Sequence, residues 1–230
     1  MKSETTRTKT PLNRKLAVAA TFAAVVLLVS SCTTGGANSS APTTPAPLAA
    51  AAATAVTNLQ TAFNGESNAS AKYAAFATRA DDEGYTQVAS LFRAAARAES
   101  IHAANHARVI QSLGGTPAAD VKQADVKSTS ENLKAAIEGE TYERDTMYPQ
   151  FIAQARSANL PKAVQTLNFA QQAEAGHAKL YSDALANLGG TVSGTVTFYV
   201  CTVCGNTVSD LSFEKCPACF SPKESFVVVT

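Results

Sequence analysis

The chain has 230 residues, 46% of them hydrophobic and 7% aromatic, which suits one medium-sized domain and a smaller second one. Its formal net charge is +1, and five of its positive charges lie within the first fifteen residues. Removal of residues 1–31 would take away those five charges and one negative charge, leaving a net charge of about −3. That charge provides no basic surface for nucleic acid, so we predict no nucleic-acid partner.

The chain begins with a basic segment followed by a short apolar run, LAVAATFAAVVLLVS, at residues 16–30. This combination is typical of a secretory signal, because the run is short for a membrane span. The sequence LLVSSC resembles the lipobox of bacterial lipoproteins, which implies cleavage before Cys32 and lipid on its thiol. An uncut signal anchor is the alternative. We therefore expect a signal peptide at 1–31 and an exported lipoprotein, anchored at the periplasmic or cell-surface face of a membrane.

Residues 32–49 carry no charge and are rich in Thr, Ser, Pro and Gly, which indicates a flexible tether. The following alanine-rich region has helical periodicity, with breaks that predict helices at about 50–83, 86–113, 129–157 and 161–188. GGTVSG at 189–194 predicts a hinge, and the β-rich TVTFYV follows it. The expected domains are a four-helix bundle over 50–190 and a cysteine-containing module over 191–230.

The helical region is an internal duplication. AESIHAANHARVIQSLGGT, ending at Thr116, and AEAGHAKLYSDALANLGGT, ending at Thr191, share two motifs at an offset of 75 residues. The same offset relates Tyr73 to Tyr148, and NGES at 64–67 resembles EGET at 138–141. Two copies of a helical hairpin therefore give four helices, each with one inward strip.

Ionisable residues fall on these inward strips, where an isolated carboxylate is costly unless it is paired or binds a metal. Because residues three apart on a helix face the same way, all of them can point to one region near the middle of the bundle: Glu66, Glu99, His102, Glu140, Glu143, Glu174 and His177. One Glu from each of two helices, with Glu-x-x-His from each of the other two, is an arrangement that binds two irons. A single Glu-x-x-His would more simply be a solvated surface pair, but two at matched positions favour metal.

Three further side chains accompany this set. The matched positions of Tyr73 and Tyr148 favour phenols hydrogen-bonded near the metals, with ordinary core aromatics as the alternative. His106 lies one turn beyond His102 on the same strip. We expect it beside the metals or at the end of the bundle, and not as a ligand.

The remaining four cysteines form two C-x-x-C knuckles: Cys201, Cys204, Cys216 and Cys219. Four thiolates at this spacing bind a tetrahedral metal, and the motif alone does not choose between iron and zinc. A module of roughly 35 residues builds little core, so its metal supplies the fold. Two disulfides are the alternative outside the cytosol. Beside a two-iron bundle, an electron-transferring iron is the favoured interpretation.

The whole combination resembles the rubrerythrin family over residues 55–230. The resemblance is carried by GES at 65–67, AESIH at 98–102, EGETYERDTMYPQF at 138–151, AEAGH at 173–177, YVCTVCG and CPACFSPKESF. It implies a mainly α protein, with a ferritin-like four-helix bundle and a small C-terminal rubredoxin-like domain. It also implies two non-haem irons in the bundle and one Fe(Cys)4 centre per chain.

The resemblance also implies residue roles. Glu66 would be a terminal ligand of one iron, and Glu140 and His177 terminal ligands of the other. Glu99 and Glu174 would bridge the irons. Glu143 and His102 would be alternative ligands of the first iron, exchanged between redox states.

The function implied by the resemblance is a non-haem di-iron peroxidase, which reduces hydrogen peroxide to water in oxidative stress defence. Electrons would pass through the rubredoxin-type iron, from a donor that the export signal leaves unidentified because the family is typically cytosolic. Family members are head-to-tail homodimers, in which the cysteine iron of one chain serves the di-iron site of the other. Two alternatives are a ferroxidase or iron-handling ferritin-like protein, which needs no electron-supplying module, and a structural lipoprotein whose sites hold zinc.

Overall fold

The computed structural model describes residues 46–190, 194 and 196–230. The predicted signal peptide, Cys32 and most of the predicted tether lie outside these residues, as does part of the predicted hinge. Among the helices of the described part, none is both long and apolar enough to cross a membrane.

Helices account for most of the described chain. They are α1 (Ala46–Asp82), α2 (Thr86–Ser112), α3 (Thr129–Tyr142), α4 (Tyr148–Ser157) and α5 (Pro161–Ala186). Helix α1 begins at Ala46, a few residues before the predicted start, because alanine is the strongest helix former. Pro47 does not prevent this, since an N–H in the first turn would have no helical partner.

The predicted third helix is interrupted. Residues Glu143–Met147 form a π-helical segment between α3 and α4. Such segments insert one extra residue into a helix and are frequent at functional sites. Glu143, one of the predicted ligands, is the first residue of this segment.

A long connection at residues 113–128 joins α2 to α3 and runs beside α1. The backbone N–H of Asp120 donates to Asn64 Oδ1 at 2.8 Å, and that of Lys122 donates to Asn68 Oδ1 at 2.9 Å. The connection ends at a capping box, in which Ser128 and Glu131 satisfy each other's backbone N–H groups. One long crossover of this kind is typical of ferritin-like bundles.

Two apolar clusters fill the bundle. One surrounds Tyr73, Phe92 and Tyr181, and the other contains Leu59 and Ile110. Aromatic rings pack together within the first cluster, with the centroids of Phe92 and Tyr181 5.2 Å apart. The ionisable side chains of the inward strips lie where the two clusters meet.

The cysteine module contains a three-stranded antiparallel sheet of β1 (Phe198–Cys201), β2 (Thr207–Val208) and β3 (Phe226–Val229), in the order β2-β1-β3. Tyr199 pairs with Val208, and Cys201 pairs with Phe226. The module packs against α2 and α5 of the same chain. The predicted fold class, a helical bundle with a small β-containing metal module, is confirmed.

Candidate metal centre

Six of the predicted ligands meet in the middle of the bundle, and each is at most 1% exposed. They form two groups whose ligand atoms lie within 4.8 Å of one another: Glu66, Glu99, His102 and Glu174 in one, and Glu99, Glu140, Glu174 and His177 in the other. The carboxylates that the two groups share come from the two Glu-x-x-His motifs. Those two side chains therefore occupy the position of bridges.

The distances repeat across the centre as the sequence repeats along the chain. His102 Nδ1 lies 2.8 Å from Glu99 Oε2 and 3.3 Å from Glu174 Oε1. His177 Nδ1 lies 2.9 Å from Glu174 Oε2 and 3.2 Å from Glu99 Oε1. Each histidine thus faces its own helix's carboxylate and that of the other repeat, which gives the centre an approximate twofold symmetry.

Four carboxylate oxygens at the centre are buried and have no hydrogen-bond partner: Glu66 Oε2, Glu99 Oε1, Glu140 Oε2 and Glu174 Oε1. Burial and the charges of Glu174 and Glu99 raise the pKa of Glu140 to about 8. Burial and the charge of Glu99 also raise the pKa of Glu66 well above its usual value. Buried carboxylates with unpaired oxygens need cations, so this donor set fits two metal ions.

The outer nitrogens of both histidines are held by the cysteine module. His102 Nε2 lies 3.0 Å from the carbonyl oxygen of Cys204, which can only accept, so Nε2 carries the proton. His177 Nε2 donates to Thr207 Oγ1 at 3.1 Å, and that hydroxyl donates in turn to the Gly205 carbonyl at 3.2 Å. With a proton fixed at Nε2, Nδ1 is the nitrogen of each ring that faces the carboxylates and the one that would bind metal. Hydrogen bonds to the outer nitrogen are how proteins orient metal-binding histidines.

The structure does not bring Glu143 into either group. This residue begins the π-helical segment and is partly exposed. Its pKa is raised by burial and by the charges of Glu66 and Glu140, which places it within electrostatic range of the centre. In this geometry His102 completes the group that contains Glu66, and the exchange between His102 and Glu143 stays a prediction.

The two predicted phenols connect the hairpins crosswise. Tyr73 Oη donates to Glu140 Oε1 at 2.6 Å, and Tyr148 Oη donates to Glu66 Oε1. Burial and the nearby carboxylates raise the pKa of both tyrosines well above the usual value, so both remain protonated donors. Each phenol therefore holds the outer carboxylate of the opposite hairpin.

His106 lies beside the centre, fully buried. Its Nδ1 is 3.0 Å from Thr166 Oγ1, and its Nε2 is 3.3 Å from Tyr148 Oη. Sequence reasoning missed Thr166, because a threonine within an alanine-rich helix carries no signal of its own. The duplication contains one signal that this region differs between the two copies. The 75-residue offset maps His106 onto Tyr181, so the two copies carry different residues at this position.

The four cysteine sulfurs are also placed to bind a metal. Cys201 Sγ lies 3.7 Å from Cys219 Sγ, and Cys204 Sγ lies 3.6 Å from Cys216 Sγ. A disulfide would hold two sulfurs about 2.05 Å apart, whereas these distances fit the edges of a tetrahedron with metal–sulfur bonds of about 2.3 Å. A hydrogen bond from Cys204 is the main cause that lowers the pKa of Cys201 to about 5, which favours the thiolate.

The first knuckle of the module lies directly on the di-iron ligands. Gly205 has φ +79°, and a Cβ at this position would collide with the His102 ring. Asn105 Nδ2 donates to the Val203 carbonyl at 2.9 Å on the same side. The sequence predicts the knuckle but not this contact, which joins positions about a hundred residues apart.

Comparison with known proteins identifies the family to which this arrangement of residues belongs. The family model described as Rubrerythrin matches residues 57–185, more than half of the chain. The chain belongs to the rubrerythrin family. It is 38% identical over 174 residues to nigerythrin of Nitratidesulfovibrio vulgaris, covering 75% of this chain and 85% of that protein. It is 35% identical to Rubrerythrin-2 of Clostridium acetobutylicum, covering 73% of this chain and 92% of that protein.

Solved structures agree. The fully reduced, all-ferrous nigerythrin superposes with a TM-score of 0.69 at 36% identity, covering 76% of this chain and 86% of that chain. Bacterioferritin from Desulfovibrio desulfuricans superposes with a TM-score of 0.55 at 20% identity, covering 63% of this chain and 85% of that chain, a likeness of fold alone. The bundle is therefore ferritin-like. The chain is an oxidoreductase of the rubrerythrin family, with a di-iron site in the bundle and a rubredoxin-like four-cysteine iron site in the module.

Proposed function

We propose that this chain reduces hydrogen peroxide to water in defence against oxidative stress, with electrons supplied through the four-cysteine iron. Each hydrogen peroxide takes up two electrons and two protons and yields two waters. The observation that carries the proposal is the hydrogen bond between His102 Nε2 and the Cys204 carbonyl. This one hydrogen bond connects His102, a ligand of the di-iron site, with the backbone of Cys204, a ligand of the four-cysteine iron.

The protein's own residues prepare the centre for this reaction. The irons, when bound, supply electrons and polarise the oxygens of the substrate. Glu99 and Glu174 hold the two metal positions together, while the phenols of Tyr73 and Tyr148 fix the outer carboxylates. The surrounding apolar clusters exclude bulk water, which strengthens electrostatic interactions inside the centre.

A ferroxidase would use the same bundle ligands, but it would need no electron-supplying module against its centre. The packing of the cysteine module on both histidines therefore favours reduction of peroxide over oxidation of free iron. A purely structural protein with zinc in both sites would transfer no electrons, so it would not require contact between the cysteine module and the two histidines.

Stopped-flow oxidation of chemically reduced protein by peroxide tests the proposal. In the wild type, the ferric-thiolate absorption of the four-cysteine iron should return quickly, because its electron drains into the di-iron centre. In Glu99→Ala, which disables that centre, the absorption should return only slowly. Glu138→Ala is a matched control, since Glu138 is an exposed glutamate of α3. Reoxidation of Glu99→Ala as fast as the wild type would mean that the bundle is not the peroxide site.

We propose in addition that the chain is exported and held at a membrane by lipid on Cys32, which the lipobox-like sequence supports. Wild-type protein should enter the detergent phase of a detergent extraction, and Cys32→Ser should remain in the aqueous phase. A wild type that stays aqueous would contradict the anchor.

A further inference from the structure

The di-iron centre is buried, yet the proposed reaction consumes two protons per peroxide. The six grouped ligands are at most 1% exposed, and the apolar clusters close the bundle on either side. Protons can cross a packed interior along polar side chains that are hydrogen-bonded to one another. One continuous line of such side chains reaches the centre and has no part in holding metal.

That line begins at Thr166. Thr166 lines a cavity of about 570 Å³ between α2, α5 and the cysteine module. The cavity meets solvent, because the exposed side chains of Arg108, Lys162 and Gln165 form part of its wall. Inward from it, Thr166 Oγ1 lies 3.0 Å from His106 Nδ1, and His106 Nε2 lies 3.3 Å from Tyr148 Oη, which bonds to Glu66.

The hydrogen bonds have a single direction. Glu66 Oε1 accepts from the Tyr148 hydroxyl, so the phenol oxygen is left to accept from Nε2–H of His106. His106 Nδ1 then has a free lone pair to accept the Thr166 hydroxyl proton. This pattern of donors and acceptors assigns His106 the neutral tautomer that carries its proton on Nε2.

The other half of the duplication lacks this path. The 75-residue offset maps His106 onto Tyr181 and maps Thr166 back onto Leu91. The Tyr181 hydroxyl is buried without a hydrogen-bond partner, and its ring packs against Phe92 and Tyr73. Near Glu140, Tyr181 and Leu91 therefore form no hydrogen-bonded path of the kind that His106 and Thr166 form near Glu66. The asymmetry lies in the surroundings, since the ligands themselves are symmetric.

We propose that Thr166, His106 and Tyr148 form a proton relay from the cavity to Glu66, and that the outer carboxylate of this half delivers protons to peroxide. The inference rests on the proposed function. In one passage the Thr166 proton moves to His106 Nδ1, the Nε2 proton moves to Tyr148, and the phenol proton moves to Glu66. Rotation of the two hydroxyls and of the His106 ring then restores the starting arrangement before the second proton passes. Water in the cavity reprotonates Thr166, and no electron moves along the line. His106 and Thr166 act through Tyr148 and are positioning residues for the transfer.

The kinetic test compares two variants of one residue. Thr166→Val keeps the shape but removes the hydroxyl, and should slow single-turnover peroxide reduction by about tenfold or more. The same variant should raise the solvent deuterium isotope effect, while Thr166→Ser should restore both values to near those of the wild type. Tyr181→Phe removes the hydroxyl at the matched position of the other half and should change neither. Iron content is measured for each variant, so loss of metal is separated from loss of protons.

A second measurement does not depend on activity. In protein loaded with zinc, ¹⁵N spectra of His106 should show a proton on Nε2 and none on Nδ1. Thr166→Val should shift the Nδ1 signal and slow solvent exchange of the Nε2 proton. A proton on Nδ1, or unchanged rates and isotope effects in Thr166→Val, would overturn the relay and direct attention to the partly exposed Glu143. A wild type that fails to reduce peroxide but shows the expected spectra would instead overturn the proposed function.

Discussion

Each of the four grouped carboxylates of the bundle has one oxygen with a hydrogen-bond partner and one without, but the partners differ. Glu140 and Glu66 each use one oxygen to accept a tyrosine hydroxyl, while the second oxygen of each has no partner. Glu99 and Glu174 also leave one oxygen unpaired each. The tyrosines orient the outer carboxylates, and bound metal ions would satisfy the oxygens that remain. Metal occupancy should therefore depend most on the carboxylates that both groups share.

Replacement of Glu99 by alanine should empty or scramble the di-iron site. Glu99 belongs to both ligand groups, so its loss removes a ligand from each metal at once. Iron analysis should find about two irons fewer per chain than in the wild type, whereas the absorption of the four-cysteine iron should be unchanged. Full loading of Glu99→Ala with iron would contradict a bridging role, and Glu138→Ala should load like the wild type.

The metal-free protein should be less stable at pH 8 than at pH 6. The folded pKa of Glu140 is raised to about 8 by burial and neighbouring charges, against 4.5 ordinarily, so the folded state keeps a proton that the unfolded state releases. Its stabilising contribution is present at low pH and is lost as pH rises through about 8. Burial alone would lower the pKa of His102 and His177, but neighbouring carboxylates raise both, so the histidines act in the same direction.

For Glu140 alone, the free energy of unfolding should fall by about 2 kcal/mol between pH 6 and pH 8. Denaturant titrations of the metal-free protein at the two pH values measure this change. The opposite shifts at Glu99 and Glu174 act below the ordinary carboxylate pKa and leave this window unaffected. Glu140→Gln should show a smaller pH dependence, and greater stability at pH 8 would contradict the argument.

Among the elements, helices were easier to predict than their interruptions. The alanine-rich periodicity and the Gly-Gly pairs predict four helices close to those observed, because helix propensity and termination are local properties. The π-helical segment at Glu143 could not be predicted, since one inserted residue hardly disturbs the periodicity of the sequence. The duplication also predicts that the Glu-x-x-His motifs meet. The contacts of His106 with Thr166 and of His102 with Cys204 depend on packing between distant segments, which no local pattern records.

Gly205 determines how closely the first knuckle approaches α2. Its positive φ disfavours any side chain, and a Cβ would collide with His102. Gly205→Ala should cost about 1–3 kcal/mol in backbone strain and should move the Cys204 carbonyl away from the histidine. Both metal sites should still load, but electron transfer from the cysteine iron to the bundle should slow.

Stopped-flow reoxidation of the cysteine iron by peroxide measures this effect. Gly189→Ala is the control, because Gly189 has open space around it and no positive φ. Gly205→Ala that loads both sites and transfers electrons at the wild-type rate would show that the close contact is not needed for transfer.

At the scale of the whole molecule, electrons can reach a bundle either from the cysteine module of the same chain or from that of a second chain. The resemblance implies a head-to-tail dimer with transfer between chains, and that dimer stays a prediction. In the structure, the module lies on the bundle of its own chain through Cys204, Gly205 and Thr207. The described contact therefore supports transfer within one chain.

Co-expression of two defective chains separates these arrangements. Cys204→Ser lacks the cysteine iron but keeps the bundle site, and Glu99→Ala has the reverse defect. If electrons pass within one chain, the mixture should show no more peroxide reduction than the two variants assayed separately. Recovery of a substantial part of wild-type activity would instead show transfer between chains. Each variant co-expressed with wild type controls for expression level.

The docking of the module on His102 and His177 also links the assembly of the two iron sites. A module this small folds around its metal, so the Cys204 carbonyl and the Thr207 hydroxyl reach the histidines only after the four thiolates have been metallated. The iron of the cysteine module would thus stabilise part of the wall around the di-iron site. Oxidation of the four thiols, or starvation for their iron, would remove that wall and admit water to the bundle. The same cysteines that are proposed to supply the centre with electrons would therefore also keep bulk water out of it.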